Sequence, residues 1–381
     1  MNTFEYLTAF ALSFIVSFSA TPIARKVAFK LSAIDVPGER KMHTKPIALM
    51  GGLAIVVGFL SAIIFDLAGS LFGSPGLVVW DKTFIGALLG LLIILIMGML
   101  DDIYTLKPQI KMIFQTAAAI VVVLTGTQIE SITNPFGGGT IQLADFRIIS
   151  YPITILWIVG ITNAINLIDG LDGLAAGVSS ISALSLFVVS IIVGEPIVAV
   201  SISFMTAALA GAILGFLPYN INPAKIFMGE TGSASLGFIL GVLSIQGFLK
   251  AYTAIAVAVP LLVLGLPLFD TLFAIVRRLS NKKPISKGDT GHLHHRLIQM
   301  GLSQKQSVFV LYTVSAILGL SAIVLVDKGA IKAIFLIAIV AGFIFTGIKY
   351  MSAIESEEDI PENKRQKIDK VIKTEVKEVK E

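Results

Sequence analysis

Apolar residues form long runs along this 381-residue chain, and charged residues gather in the intervals between them. A run of about 20 apolar residues matches the length an α-helix needs to cross a hydrocarbon layer about 30 Å thick. Such windows predict eleven spanning helices, at 3–22, 47–68, 83–100, 112–130, 151–168, 175–193, 197–217, 232–249, 252–276, 306–326 and 330–349. The pattern breaks after Met351: from Glu355 onward there are nine acidic and seven basic residues and no long apolar run. Ile368, Val371, Ile372, Val376 and Val379 fall at helical spacing, which allows a short amphipathic helix, but the composition favours a solvated, partly disordered tail. The expected fold is an all-α polytopic integral membrane protein, with a transmembrane domain over 1–350 and a charged tail over 351–381. There is no internal repeat, and the pairs Gly86/Gly90, Gly211/Gly215 and Gly237/Gly241 read as helix-packing sites.

Composition sharpens this picture by exclusion. The chain is 55% hydrophobic and only 14% charged, with a mean hydropathy of +0.87, whereas a soluble domain is about 25% charged. A soluble enzyme, a β-barrel and a disordered chain are excluded. With no cysteine there is no disulfide framework, thiolate zinc site or cysteine nucleophile. The first span lacks a basic leader, and Arg25, Lys26 and Lys30 follow its apolar run, as in an anchor with its N-terminus outside rather than a signal peptide. Of the 29 lysines and arginines, 24 fall in the tail and in the loops after spans 1, 3, 7 and 9, and five on the other face. The positive-inside rule makes the richer face cytoplasmic. An odd number of spans then puts the C-terminus inside. The basic balance thus reads as topology and not as nucleic-acid binding.

Few ionisable residues lie mid-span, Asp66, Asp270 and Lys332 coming nearest. A transporter needs charges or broken helices at the midplane. Here the polar side chains sit at the cytoplasmic mouths of the helices instead, as an enzyme acting on a lipid headgroup requires. Asp101-Asp102 closes span 3, where two adjacent anions oppose the helix macrodipole and call for a divalent metal, Lys107 or Lys111 as compensation. In NAINLIDGLDGLAAG, Asn163, Asn166, Asp169 and Asp172 recur every third residue. The last three share one helix face if the helix continues, although the Asp-Gly pairs equally signal a turn. In IFMGETGSASLGF, Gly229, Gly232 and Ser233 allow a tight loop into a helix N-terminus, a phosphate cradle with Glu230 as an adjoining oxygen ligand. Thr231 or Ser233 acting as a plain helix cap accounts for the same residues. GDTGHLHHRL holds three of the four histidines, His292, His294 and His295, beside Arg296. It lacks a zinc spacing and suits a polyanion better. In DVPGERKMHTKPIALMGG, Asp35, Arg40, Lys41, His43 and Lys45 lie at the membrane surface, where attraction to anionic lipid explains the lysines equally well. Hard oxygen ligands with cations on one face match Mg²⁺ shared with substrate phosphates, and so phosphoryl transfer.

These five motifs, in this order and over roughly residues 20–300, resemble the polyprenyl-phosphate N-acetylhexosamine-1-phosphate transferase family of bacteria. The resemblance implies a reaction joining UDP-N-acetylglucosamine to undecaprenyl phosphate with release of UMP, at the cytoplasmic face of the bacterial inner membrane. It implies Mg²⁺, with Mn²⁺ able to substitute, and admits a homodimer. The HLHHRL form is similar to that of the teichoic-acid and enterobacterial-antigen initiators. The related phospho-N-acetylmuramoyl-pentapeptide transferases are the alternative within the superfamily, and a divalent-metal or anion transporter is the alternative outside it. By resemblance, Asn166 and Glu230 would hold the metal and Asp101 and Asp102 would handle the lipid phosphate. Lys111 would contact phosphate and Asp172 the uracil, and Asn163 and Asp169 would also bind substrate. His292, His294, His295 and Arg296 would take the sugar diphosphate, and Arg40 and His43 would add substrate contacts. The family commonly has aspartate where this chain has Glu230. A direct attack by the lipid phosphate and a covalent aspartyl-phosphate route both remain open at this level.

Overall fold

The computed structural model describes residues 3–37, 45–73, 76–133, 140–143, 147–193, 196–249, 254–280 and 291–328, with single positions at 338 and 342. Ten of the eleven predicted windows coincide with described helices. These are α1 (Thr3–Lys30), α2 (Gly52–Leu71), α3 (Lys82–Tyr104), α4 (Pro108–Leu124), α5 (Arg147–Ile168), α6 (Leu174–Val193), α7 (Pro196–Asn220), α8 (Gly229–Ser244), α9 (Ala254–Val263), α10 (Gly265–Ser280) and α12 (Gln304–Lys328), with the short α11 (Leu293–Gln299) before the last. Apart from the two single positions, the eleventh window lies outside the described residues, as do the tail over 351–381, Arg40 and His43.

Seven of the helices (α1, α2, α3, α5, α6, α7 and α12) are long and apolar enough to cross a membrane. The described residues thus form a largely helical, multi-pass membrane fold. The three remaining windows are shorter or interrupted. Helix α4 has 17 residues, and α8 runs on into a π-helical turn over Ile245–Leu249. The window at 252–276 is two helices and not one, because Pro267 has no N–H to return to Val263, where α9 ends. Large apolar side chains such as Ile15, Phe65, Ile113, Leu156 and Phe309 point outward, as a lipid-facing surface requires.

At the centre stands α8, buried from Thr231 through Ser244 and packed on α2, α3 and α5. Its small residues allow that enclosure. A Cβ placed on Gly98 of α3 would lie 2.5 Å from the Thr231 Cα, and one on Gly237 would lie 2.6 Å from the Thr162 Cα of α5. The backbones therefore touch directly, which is how membrane helices gain contact where lipid offers no hydrophobic drive. Of the other predicted pairs, Gly211 and Gly215 do the same work against the Phe10 and Phe14 carbonyls of α1, whereas Gly86 makes room for the Thr125 side chain.

Two short hairpins complete the fold. β1 (Ile34–Asp35) pairs antiparallel with β2 (Ile47–Ala48), and β3 (Ser131–Thr133) with β4 (Thr140–Gln142). The first hairpin carries the segment before α8: Phe227 N–H donates to Ala48 O (2.8 Å), and Gly51 and Gly52 N–H donate to Phe227 O (3.0 Å) and Met228 O (2.9 Å). Two motifs nearly 180 residues apart in sequence are thereby sewn together at one end of the bundle.

Candidate active site

At that end lies a cavity of about 950 Å³, lined from every motif by residues that include Asp35, Asp101, Asp102, Asn166, Asp169, Asp172, Glu230 and His295. The carboxylates reach it because α3, α5 and α7 finish there and α6 and α8 begin there. Lys45, Arg25 and Lys225 add cations to the wall.

The two adjacent aspartates turn out to have different partners. Asp101 accepts from Leu106 N–H (2.8 Å) and from Lys111 Nζ (3.1 Å), and Lys111 also donates to Glu230 Oε2 at 2.9 Å. Lys111 comes within reach because Thr105 adopts a left-handed φ of 52° that ends α3, and Pro108 opens α4 at its first turn. Lys111, and not Lys107, is thus the cation shared by this pair. Asp102 is compensated otherwise. It is buried, and it accepts from Glu230 N–H (2.8 Å), Thr231 N–H (3.2 Å) and Thr231 Oγ1–H (2.6 Å). An anion from α3 therefore caps the N-terminus of α8, where the exposed amide hydrogens favour negative charge. This corrects two expectations. Neither Thr231 nor Ser233 caps α8 from within, since the Ser233 hydroxyl bonds back to Gly229 O. The first amides of α8 are no open phosphate cradle, because Asp102 already occupies them. Gly229 permits the approach: its φ is +70°, and a Cβ there would strike the Asp102 carboxylate.

In the second motif the chain turns. Helix α5 ends at Ile168 and α6 begins at Leu174, so Asn166, Asp169 and Asp172 do not share a helix face. Asp172 accepts from Asn222 Nδ2 (2.9 Å) and Ala224 N–H (3.0 Å), and Asn222 also donates to Gln304 Oε1 (2.6 Å). Asp169 has no donor among the described residues. Burial, then the charges of Glu230, Asp102 and Asp172, pushes its carboxyl up to about 7. Asn163 stands apart from the cavity. Its amide donates to Gln115 Oε1 (2.6 Å) and Val159 O (2.8 Å), which explains an amide inside an apolar helix as a link to α4.

The histidine segment is divided as well. His295 lines the cavity, while His292, His294 and Arg296 do not. His294 is 2% exposed, has no partner on either ring nitrogen among the described residues, and leaves no room for a Cβ on Gly170. Burial, then the neighbouring His295, holds its imidazole down at about 4, so it is neutral at physiological pH.

Asn222 and Gln304 line the cavity although a reading of the sequence passes over them, and Thr231, read there only as a plain cap, meets Asp102 instead. Their hydroxyl and amide groups are ordinary loop and helix-end chemistry, and only the fold shows which group each one meets. The oxygen set suits a hard cation: among the described residues, Glu230 Oε1 is buried with no hydrogen-bond partner, and Asp169 faces the same cavity without a donor. No three His, Asp or Glu side chains among the described residues are close enough to hold a metal alone. Mg²⁺ does not need them, since it keeps waters and shares ligands with substrate phosphates.

Comparison with known proteins agrees with this arrangement. Residues 84–248, which carry the aspartate pair, the second motif and the start of α8, match glycosyl transferase family 4. A probable undecaprenyl-phosphate N-acetylglucosaminyl 1-phosphate transferase of Bacillus subtilis is 40% identical over 88% of this chain and 89% of its own length. A decaprenyl-phosphate N-acetylglucosaminephosphotransferase of Mycolicibacterium smegmatis is 35% identical over 87% of this chain and 85% of its own. An undecaprenyl-phosphate alpha-N-acetylglucosaminyl 1-phosphate transferase of Thermotoga maritima is 30% identical over 74% of this chain and 78% of its own. With relatives matched across most of their length and the motif carboxylates gathered at one cavity, the chain belongs to glycosyl transferase family 4, among the polyprenyl-phosphate N-acetylhexosamine-1-phosphate transferases.

Proposed function

We propose that this protein transfers N-acetylglucosamine 1-phosphate from UDP-N-acetylglucosamine to undecaprenyl phosphate and releases UMP. The observation that carries the reading is the convergence of Asp101, Asn166, Asp169, Asp172 and Glu230 from separate helix ends onto one cavity, with Lys111 spanning two of them. The relatives' names supply the substrates. The cavity end carries the loops rich in lysine and arginine, which supports a cytoplasmic opening at the bacterial inner membrane, with the N-terminus outside.

A phosphate monoester has its second pKa near 6 and is mostly dianionic at pH 7, so no strong base is needed to activate the lipid phosphate. One of its oxygens forms a bond to the β-phosphorus of the sugar nucleotide. The bridging oxygen leaves with UMP. Asp101 and Lys111 lie where the incoming phosphate can be oriented and its charge balanced. Both oxygens of Asp101 and both of Asp102 are already engaged in hydrogen bonds, which favours a direct displacement over a covalent aspartyl-phosphate. Asn166 and Glu230 would hold Mg²⁺, with Asp169 as an adjoining oxygen, and Mn²⁺ would substitute. When bound, the metal supplies charge neutralisation across the diphosphate and stabilises the departing UMP. Glu230, where the family commonly has aspartate, also accepts from Lys111.

The test is purified protein with undecaprenyl phosphate and a panel of UDP-sugars, scored for UMP with and without EDTA. UMP should appear with UDP-N-acetylglucosamine, vanish on chelation and return with Mg²⁺. Asp101→Asn and Asn166→Ala should each abolish it in folded protein. Near-normal turnover in both variants would defeat the proposal.

A further inference from the structure

Asp270 is a carboxylate that the reaction above does not use. It sits in α10 among apolar residues and is only 4% exposed. An ionisable side chain in such a helix is expensive unless it is paired. Its partner comes from beyond the end of α10, more than 20 residues later in the chain. Asp270 Oδ2 meets His292 Nδ1 at 2.8 Å, and Oδ1 accepts from Leu293 N–H at 2.9 Å. His292 is itself 5% exposed and stands at the N-cap of α11 with no side-chain bond to that helix. Asp270 therefore supplies from another helix the cap that His292 lacks, and it grips the ring and the backbone together.

Two consequences follow for the histidine segment. An ionised carboxylate oxygen only accepts, so this contact places the hydrogen on His292 Nδ1, and Nε2 carries the lone pair when the ring is neutral. The held ring stacks against His294, with centroids 5.8 Å apart and planes 7° apart, and His294 lies 4.2 Å from the ring of His295. His294 in turn is wedged against Gly170, and His295 is the member that lines the cavity. A chain of contacts thus runs from Asp270 to the cavity wall, although Asp270 itself does not line it.

We propose that Asp270 is the positioning residue of the histidine segment: it holds His292 as the Nδ1-protonated tautomer and docks the start of α11 so that His295 faces the substrate cavity. The proposal rests on the transferase reading for its kinetic arm alone. The full-length protein with ¹⁵N-labelled histidine, in detergent, should show neutral His292 with a protonated Nδ1 and a bare Nε2, the signal being assigned by its loss in His292→Gln. Asp270→Asn should convert it to a mixed or Nε2-protonated pattern. In UMP release, Asp270→Ala and Asp270→Asn should lower kcat roughly 10- to 100-fold, the usual loss for a displaced orienting shell, with KM for UDP-N-acetylglucosamine within about threefold. Asp270→Asn preserves shape and serves where the alanine variant does not fold. A wild-type His292 protonated on Nε2, or either variant turning over within twofold of wild type, overturns the inference. A wild type that releases no UMP from any sugar nucleotide defeats the transferase reading instead, and leaves the tautomer measurement to decide this one.

Discussion

Replacing Asp102 with asparagine separates a structural load from a chemical one. The carboxylate takes three hydrogen bonds from the start of α8, two from amides and one from the Thr231 hydroxyl. Asparagine keeps one oxygen for Glu230 N–H and must present its NH₂ toward Thr231. The hydroxyl can reverse and accept, but Thr231 N–H then has no acceptor. A bond to a charged acceptor is worth roughly 1.5–3 kcal/mol against about 1 for a neutral one, and an orphaned buried donor costs about 1–3 kcal/mol. Two weakened bonds, at about 0.5–2 kcal/mol each, and one orphan amount to about 2–7 kcal/mol. Trp157 reports on the region, since its indole donates to Ser244 at the far end of α8 (3.0 Å). Unfolding in mixed micelles followed by that fluorescence should shift to lower denaturant for Asp102→Asn by this amount. Asp101→Asn should move it by less than about 1 kcal/mol, because Leu106 N–H keeps an oxygen and Lys111 keeps Glu230. Thr231→Val in both backgrounds should give a coupling of about 1–3 kcal/mol with Asp102. A shift below about 1 kcal/mol for Asp102→Asn, with turnover lost, would refute the cap and make the carboxylate purely chemical.

His294 is held at about 4 by burial against 6.5 for the free side chain, so the unfolded state takes up the proton first as pH falls. The His294 contribution to stability should be flat above about pH 6.5, drop by up to roughly 3 kcal/mol on descending to about pH 4, and level off below. Buried Asp169, pushed up to about 7, contributes with the opposite sign over an overlapping range, so the His294 part is read as the difference between wild type and His294→Asn in a pH series of unfolding curves; no difference would show the ring to be accessible. Gly170→Ala places a methyl where His294 Nε2 sits, so the histidine segment must shift; UMP release should fall at least tenfold with little change in the melting of the bundle, and normal turnover would show that the segment can give way.

Much was legible in one dimension. Ten of the eleven apolar windows became helices because spanning hydrocarbon demands a length and a composition that can be counted along the chain. The small-residue pairs declared themselves for a similar reason, since close backbone approach requires glycine and little else. Asp101, Asn166, Asp169, Asp172 and Glu230 were found because charged and amide groups at helix ends stand out against an apolar background. What each of them touches was another matter. Asp101 and Asp102 are identical in type and adjacent, yet successive residues on a helix point about 100° apart, so one meets Lys111 and the other the start of α8. Asn163 and Asn166 share a motif, but only Asn166 faces the cavity.

The sequence by itself determined that the chain is a bundle of membrane helices with its polar chemistry at one end, because solvent sorts residues by type and needs no knowledge of partners. Tertiary structure alone decided that Asp102 caps α8, that Asp172 is tied to Asn222 and that Asp270 holds His292. Those pairings depend on how helices rotate and where they cross, and contacts across 22 to 129 residues of chain leave no periodic trace in it.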